Sequence, residues 1–260
     1  MYMDYFNKND TNDFFFDTPK KARFGLLNYV NSPVGRLWTD TAMEKDAYDP
    51  YYNKRTLELR TLIARAPVLL QSHHAWKLSN NLEFEPVDVE TFEERLRTPT
   101  KTFTVLKMKA PAKSAPCGGG NCLIKVTIPP GTLLGWTDMF KTQSWPLKTS
   151  IVLPPGYTFR IDRTDIKQDV KHYHCTAVPH APTMIRDFCK YKIPRMLTVL
   201  PLYARQIIDA YVKHASNIKE ENNSIYAISA ADLGIGTDPL PQDAADALSL
   251  IQFSEPTRPY

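Results

Sequence analysis

The chain has 260 residues, of which 43% are hydrophobic and 11% aromatic, a composition that supports a buried core and excludes global disorder. The net charge is only +4, and no segment has the dense Lys/Arg stripe of nucleic-acid-binding proteins, so a nucleic-acid partner is not indicated. No run of roughly 18 apolar residues occurs, which argues against a membrane span. The first residues lack the basic and apolar regions of a secretory signal, so we expect an intracellular protein.

The first 22 residues are polar and aromatic and show no helical period. They include Tyr5, Phe6 and three consecutive phenylalanines at 14–16. A free segment of this kind would expose apolar surface, so we expect it to dock on its own domain or on a neighbouring molecule. Residues 1–22 are therefore predicted to form an N-terminal arm.

Helical and strand-like patterns follow one another from residue 52 onward. The clearest helix is predicted over 52–66, because Leu59, Leu62 and Ile63 recur near the 3.6-residue period and Pro67 ends the pattern. The predicted strands cover 68–78, 100–108, 122–128, 150–162 and 172–178, and a short helix is predicted at 88–96. Mixed elements of this kind favour an α+β fold.

Two Pro-Pro-Gly turns each follow a strand-like run. The first is Pro129-Pro130-Gly131, and the second is Pro154-Pro155-Gly156. A Pro-Gly step suits a type II turn, because proline presets φ and glycine adopts the positive φ of the next position. One interpretation of the two turns is a pair of ordinary hairpins.

The same segments resemble the mono-ADP-ribosyltransferase exoenzyme family over residues 52–163. The run 128–132 matches the family's Ile-Pro-x-Gly-Thr strand end, and 152–161 matches its Leu-Leu-Pro-Pro-Gly-Thr-x-Phe-x-Val segment. Residues 62–67 match its helix end, and 101–105 occupy the place of its Phe-x-Ser-Thr-Ser strand. The resemblance implies an α+β fold with an ADP-ribosyltransferase-like split β-sheet and N-terminal helices. It places the domain at 23–218, between N- and C-terminal extensions at 1–22 and 219–260.

The resemblance also implies where catalytic residues should lie. The family cleaves NAD with a Glu-x-Glu motif, whose carboxylate stabilises the developing oxocarbenium charge, and an arginine binds the phosphates. Counting back from Pro154 places the two Glu positions at Lys148 and Ser150, and the arginine position falls on Lys77. A lysine lacks the planar guanidinium fork, and a cation at Lys148 would repel the developing charge. We therefore expect no catalytic residue, no bound cofactor and no enzymatic activity.

Another carboxylate could replace the missing motif. Asp138 lies between the two turns and Asp162 follows the second, although a solvated loop residue is the more ordinary interpretation of Asp138. If one of them reached the ribose, the protein would be an active NAD-dependent mono-ADP-ribosyltransferase that modifies a protein acceptor. That is the alternative hypothesis, and it requires NAD as cofactor.

The segment 133–147 carries three aromatic residues, Trp136, Phe140 and Trp145. They are either core residues or an exposed aromatic loop that contacts a partner protein. With the terminal arms, this loop indicates that the protein acts as a structural or interaction component of a larger assembly, such as a virion. Its partners are then other proteins.

The cysteines leave three interpretations open. Cys117 and Cys122 flank a glycine-rich loop, and His172, His174 and Cys175 lie close together. A zinc site built from both groups matches no strong zinc spacing, so no metal is predicted. Reduced thiols are the default expectation, and a Cys117–Cys122 disulfide is an alternative.

Overall fold

The computed structural model of the protein describes residues 5–18, 20–32, 50–77, 88–111, 115–117, 120–140, 149–180, 187, 191–200 and 202. The chain divides into two compact units, 1–181 and 182–260. The second unit contains a helix at Ile193–Val199. The predicted C-terminal extension, 219–260, lies outside the described ranges. Within those ranges, no helix combines the length and the apolar character that crossing a membrane requires.

In the described ranges of the first unit, four helices precede or interrupt the sheet. They are α1 (Lys8–Asp17), α2 (Lys20–Asn31), α3 (Pro50–Arg65) and α4 (Val89–Arg97). The helices predicted at 52–66 and 88–96 are confirmed by α3 and α4. We number the helix of the second unit α5.

The expectation that residues 1–22 lack a helix is wrong for α1. The Asn7 side chain caps it and accepts hydrogen bonds from the backbone N–H groups of Asn9 at 2.9 Å and Asp10 at 3.4 Å. The polar composition of α1 hides a helical period, so the cap was the informative signal.

The N-terminal segment docks on its own unit, which was one of the two expected outcomes. Phe6 is buried, and the backbone carbonyl of Tyr5 accepts a hydrogen bond from Leu70 N–H at 2.8 Å. The rings of Tyr5 and Phe6 lie 5.6 and 5.4 Å from the Trp136 ring. Phe6 is thus part of the core, and the half-buried Tyr5 packs beside it against Trp136.

The first unit contains an eight-stranded sheet in the order β5-β6-β2-β1-β4-β8-β7, with β3 paired to β4. The strands are β1 (His73–Lys77), β2 (Thr104–Lys107), β3 (Ala115–Cys117), β4 (Gly120–Ile128), β5 (Gly135–Trp136), β6 (Ser150–Leu153), β7 (Tyr157–Lys167) and β8 (Val170–Pro179). β4 and β8 are parallel, and the other pairs are antiparallel. A mixed sheet with separate helices confirms the α+β class.

Both Pro-Pro-Gly turns adopt the predicted backbone conformation, but neither closes a hairpin. Gly131 and Gly156 have φ angles of 77° and 96°. β4 and β5 are not neighbours, and β6 and β7 lie towards opposite edges of the sheet. The hairpin interpretation is therefore wrong. Each turn ends pairing, because proline donates no ladder hydrogen bond, and the chain then crosses to another part of the sheet.

The left-handed conformation of Gly156 provides a test of this turn. Its backbone N–H donates to the Thr100 carbonyl at 2.7 Å, so the backbone cannot relax without losing that bond. We expect Gly156→Ala to lower the free energy of unfolding by about 1–2 kcal/mol, as measured by urea denaturation. Gly120→Ala is the matched control, because an added Cβ there meets nothing within 4 Å. Equal losses in both variants would contradict the assignment.

One part of the core lies on one face of β4 and β8, under α4. Phe92 and Leu96 of α4 are buried there, and the Phe92 ring lies 5.3 Å from the Tyr173 ring. The buried strand residues on this face include Ile124, Val126, Ile128, Tyr173, Cys175 and Ala177. Their alternation with more exposed neighbours is the half-buried strand pattern that the sequence predicted.

Candidate functional site

The first residue of β6, Ser150, occupies the position that the family resemblance assigns to the second glutamate. Ser150 is fully buried. Lys107 Nζ, at the end of β2, donates to Ser150 Oγ at 2.8 Å. Thr137 Oγ1 accepts from the Ser150 backbone N–H at 2.9 Å and donates to its carbonyl at 3.2 Å. The predicted glutamate position therefore holds a hydroxyl that a lysine ammonium group contacts.

This arrangement does not fit NAD cleavage at Ser150. Leaving nicotinamide makes the ribose positive, and a carboxylate stabilises that charge. The Lys107 ammonium group has the opposite sign and would disfavour the same charge at short distance. Sequence reasoning missed Lys107, which follows Val105 and Leu106 and lies one residue before the end of the strand predicted at 100–108.

Lys77 and Ser150 do not share a site. Lys77 lies opposite Leu106 in β2, whereas Ser150 lies opposite Lys107, the next residue of the same strand. Because consecutive strand residues point to opposite faces, the Lys77 side chain lies on the face away from Ser150. Lys77 is 8% exposed and its Nζ lies 5.7 Å from the centroid of the Phe159 ring. The alignment with the family places Lys77 and Ser150 in one site, whereas the strand register places their side chains on opposite faces of the sheet.

Asp138 lies beside the start of β6. It belongs to a short 3-10 helix, Thr137–Phe140. Its two carboxylate oxygens lie 2.9 and 3.1 Å from Thr149 Oγ1, which donates to them. Thr149 is the residue between the two predicted glutamate positions, so Asp138 is the acidic residue that the described part of the chain places next to this segment.

Asp162 lies elsewhere. It belongs to β7, which the sheet order places beyond β2, β1, β4 and β8 from β6. Its carboxylate is paired with Arg160 Nε at 3.0 Å and accepts from Thr176 Oγ1 at 2.6 Å. These contacts give it a local role on the strand surface, and they exclude it as a replacement for the residue at Ser150.

The predicted partner loop is only partly described. Trp136 is 1% exposed, so an exposed aromatic contact is wrong for this residue and the core alternative applies. Its ring packs between the N-terminal segment and the His73 ring, which is 5.0 Å away. Phe140 ends the 3-10 helix, while Trp145 and Lys148 lie outside the described residues.

The cysteines do not form the zinc site considered above. Cys122 is disulfide-bonded, so it is no thiolate ligand and the expectation of a reduced thiol is wrong for it. Cys175 is a free thiol, and burial raises its pKa to about 12, which keeps it protonated and unreactive at neutral pH. Among the described residues, no three His, Cys, Asp or Glu side chains are grouped to hold a metal ion. Disulfides are typical of oxidising compartments, whereas the sequence favoured an intracellular site.

A cavity of about 480 Å³ lies between α4 and the face of the sheet that carries Lys77. Its lining includes the cationic side chains of Lys77, Arg95 and Lys101, and no acidic residue among the described ones. Phe92, Leu96 and Phe159 contribute apolar surface. A cavity of this size, with apolar walls and a few polar groups, has the character of a small-molecule site.

Glu93 attaches α4 to the sheet beside this cavity. One of its oxygens accepts from Lys171 Nζ at 3.1 Å and from the Tyr173 hydroxyl at 3.3 Å, and the other pairs with Arg97 at 3.2 Å. Partial burial opposes ionisation, but the hydrogen bonds from Lys171 and Tyr173 and the nearby cations outweigh it and lower the pKa of Glu93.

The lowered pKa of Glu93 makes the stability of α4 sensitive to acid. A carboxyl group with a depressed folded-state pKa stabilises the fold above its unfolded-state pKa and loses that contribution as the pH falls through the folded value. Because Glu93 is partly exposed, we expect Glu93→Gln to cost up to about 1 kcal/mol at pH 7 and less below pH 4. Urea denaturation of the unsubstituted protein and of Glu93→Gln, at pH 7 and again below pH 4, measures the cost under each condition. A cost that does not change with pH would contradict the charge-based explanation.

No protein-family model and no curated protein matches the sequence. The chain is similar in structure to C3larvin toxin, an ADP-ribosyltransferase from Paenibacillus larvae, with 12% identity, a TM-score of 0.46, and coverage of 69% of this chain and 99% of that one. The Clostridium limosum C3 exoenzyme is 9% identical, with a TM-score of 0.48 and coverage of 64% and 90%. C3stau2 from S. aureus, solved with NAD, is 10% identical, with a TM-score of 0.45 and coverage of 67% and 97%.

These proteins belong to the class that the two Pro-Pro-Gly turns and their strands resemble in sequence. Because the identities and TM-scores are low, the activities of these proteins are not assigned to this chain. The α+β assignment of this chain rests on its own sheet order and helices.

Proposed function

We propose that this protein is a catalytically degenerate ADP-ribosyltransferase-like protein that acts by binding other proteins in a larger assembly, such as a virion. The observation that carries the proposal is the contact between Lys107 and Ser150 at the position where the family's catalytic glutamate is expected. A buried serine held by an ammonium group supplies neither a nucleophile-activating base nor a carboxylate for the ribose. The proposed role is therefore non-enzymatic.

A transfer assay tests this proposal. The purified protein is incubated with NAD labelled on the adenylate moiety and with a mixture of candidate acceptor proteins, and label on protein is measured. We expect no incorporation above that of heat-denatured protein. Incorporation that depends on the folded protein would overturn the proposal.

The second candidate function is an active NAD-dependent mono-ADP-ribosyltransferase that uses Asp138 as its carboxylate. The hydrogen bonds between Asp138 and Thr149 favour it, because they bring an acid next to the segment that carries the family's motif. Under this hypothesis Asp138→Asn abolishes transfer, whereas Asp162→Asn, on a distant strand, leaves it unchanged. The two variants separate a catalytic carboxylate from a general loss of negative charge.

A further inference from the structure

The edge strand β7 presents a row of backbone groups at the side of the sheet. It has 11 residues, and among the described residues it pairs on one side only, with β8. Its second half is accessible, because the side chain of Arg163 is 67% exposed and Ile166 is 76% exposed. An accessible edge of this length is a template on which another strand can pair.

A β-bulge sets which side chains of β7 share a face. The pairing with β8 shifts between Ile161 and Arg163, so Asp162 is the extra residue. Directly opposite residues of two strands lie on the same face of the sheet. The residues of β7 on the face that α4 covers are Ile161, Thr164 and Ile166. Those on the other face are Arg163 and Asp165.

One register allows β7 to pair with β7 of a second copy of the chain. In an antiparallel, two-fold symmetric pair, Thr164 faces Thr164 of the second copy. Arg163 then lies opposite Asp165 of the second copy, and Ile161 lies opposite Ile166 when the bulge counts as one position. By symmetry each contact occurs twice. Opposite charges and apolar side chains at directly opposed positions both stabilise strand pairing.

The charges that favour this register disfavour the neighbouring ones. Moving the centre of the pair from Thr164 to Arg163 or to Asp165 places two like charges directly opposite each other. At the outer ends Arg160 would face Lys167 of the second copy, which confines the favourable contacts to residues 161–166. Charged residues usually protect an edge strand from pairing. Here they oppose an arbitrary strand and complement a second copy of the same one.

From these observations we infer that two copies of the chain associate through their β7 edges and join their sheets around Thr164. The contact covers Ile166, a large apolar residue that the single chain exposes. Because the ladder is short, we expect dissociation constants of about 10–100 µM. Denaturation at about 1 µM therefore reports on the single chain. The inference goes beyond the proposed function and holds whether or not the chain is catalytic.

Sedimentation velocity of the full chain between about 1 and 500 µM tests the inference. We expect a concentration-dependent shift from one copy to two. Arg163→Asp and Asp165→Arg each place like charges opposite each other at two positions. Each variant is expected to weaken association at least about tenfold. Circular dichroism confirms that each variant is folded.

A mixture of the two variants tests the register itself. After Arg163→Asp both positions are acidic, and after Asp165→Arg both are basic, so one copy of each variant has opposite charges at every pair. We expect the mixture to associate within about threefold of the unsubstituted protein. The control is Lys54→Glu on α3, since Lys54 is exposed and its charge changes by the same amount as in Arg163→Asp. It should alter association less than about twofold.

Three results would overturn the inference. The first is a single copy at every concentration up to about 500 µM, which would leave the β7 edge to a strand of a different protein. The second is a mixture of the two variants that associates no better than either variant alone. The third is an equal effect of Lys54→Glu and Arg163→Asp, which would show that net charge governs association and that the register does not.

Discussion

Trp136→Ala is expected to lower the free energy of unfolding by about 3–5 kcal/mol, the usual cost of truncating a buried tryptophan. The side chain is 1% exposed, and its ring contacts Tyr5, Phe6 and His73 at centroid distances of 5.6, 5.4 and 5.0 Å. Tyr5 and Phe6 belong to the N-terminal segment and His73 to β1, so the three rings come from two separate parts of the chain. The loss therefore includes both the transfer of the indole from the core and the contacts that hold the N-terminal segment in place.

Equilibrium urea denaturation measures this loss, and limited proteolysis shows where it acts. We expect cleavage near the N-terminal segment to appear in Trp136→Ala before global unfolding. The control is Ile166→Ala, because Ile166 is 76% exposed and its truncation should change stability by less than about 0.5 kcal/mol. A small effect of Trp136→Ala would mean that the aromatic loop is available to a partner after all.

The second large effect is expected for Tyr157→Phe, which removes a hydroxyl that connects the two Pro-Pro-Gly turns. Tyr157, directly after the second turn, donates to the Leu133 carbonyl at 3.2 Å and accepts from the Leu133 N–H at 3.1 Å. Leu133 follows the first turn. Burial raises the pKa of Tyr157, so the hydroxyl keeps its proton and can donate. Without it, two buried backbone groups lose their partner, at a cost of about 1–3 kcal/mol for each group left unpaired.

A matched substitution separates this effect from the loss of any tyrosine hydroxyl. Tyr173 makes a 3.3 Å hydrogen bond to the partly exposed Glu93, which water can replace, so Tyr173→Phe should cost no more than about 1 kcal/mol. Thermal and urea denaturation of both variants provide the comparison. Equal costs would show that the hydroxyl of Tyr157 does not join the turns.

Local chemistry explains what the sequence predicted correctly. Proline and glycine restrict φ by themselves, so the conformation of Gly131 and Gly156 followed from residue type alone. The amphipathic period of α3 and the stop at Pro67 are equally local. Strand positions were also recoverable, because buried and exposed residues alternate along β4 and β8.

Non-local strand pairing explains what could not be predicted from the sequence. The turns look like hairpin turns, yet strand order depends on contacts between residues far apart in the chain, and no local pattern reports those. The separation of Lys77 from Ser150 has the same origin, since shifting the register of a strand by one residue moves its side chains to the opposite face. Trp136 illustrates a third difficulty. A tryptophan in this segment fits an exposed loop and a buried core equally well, so residue type alone does not decide between them.

The strand predicted at 150–162 correctly begins at Ser150, the first residue of β6. Nothing in the local sequence indicated the Lys107 ammonium group beside it. Lys107 reaches Ser150 across the β2–β6 pair, and only the three-dimensional arrangement brings them together. The same holds for Asp138 and Thr149, which are 11 residues apart in the chain.

The measurement that tests the missing carboxylate most directly is release of nicotinamide from NAD in the absence of any acceptor protein. Water replaces the acceptor, so a negative result cannot come from an unidentified protein substrate. We predict a rate equal to that of buffer alone, because Lys107 and Ser150 offer no negative charge to the ribose. Release above the buffer rate that is lost in Asp138→Asn and retained in Asp162→Asn would contradict this account and establish Asp138 as the catalytic carboxylate.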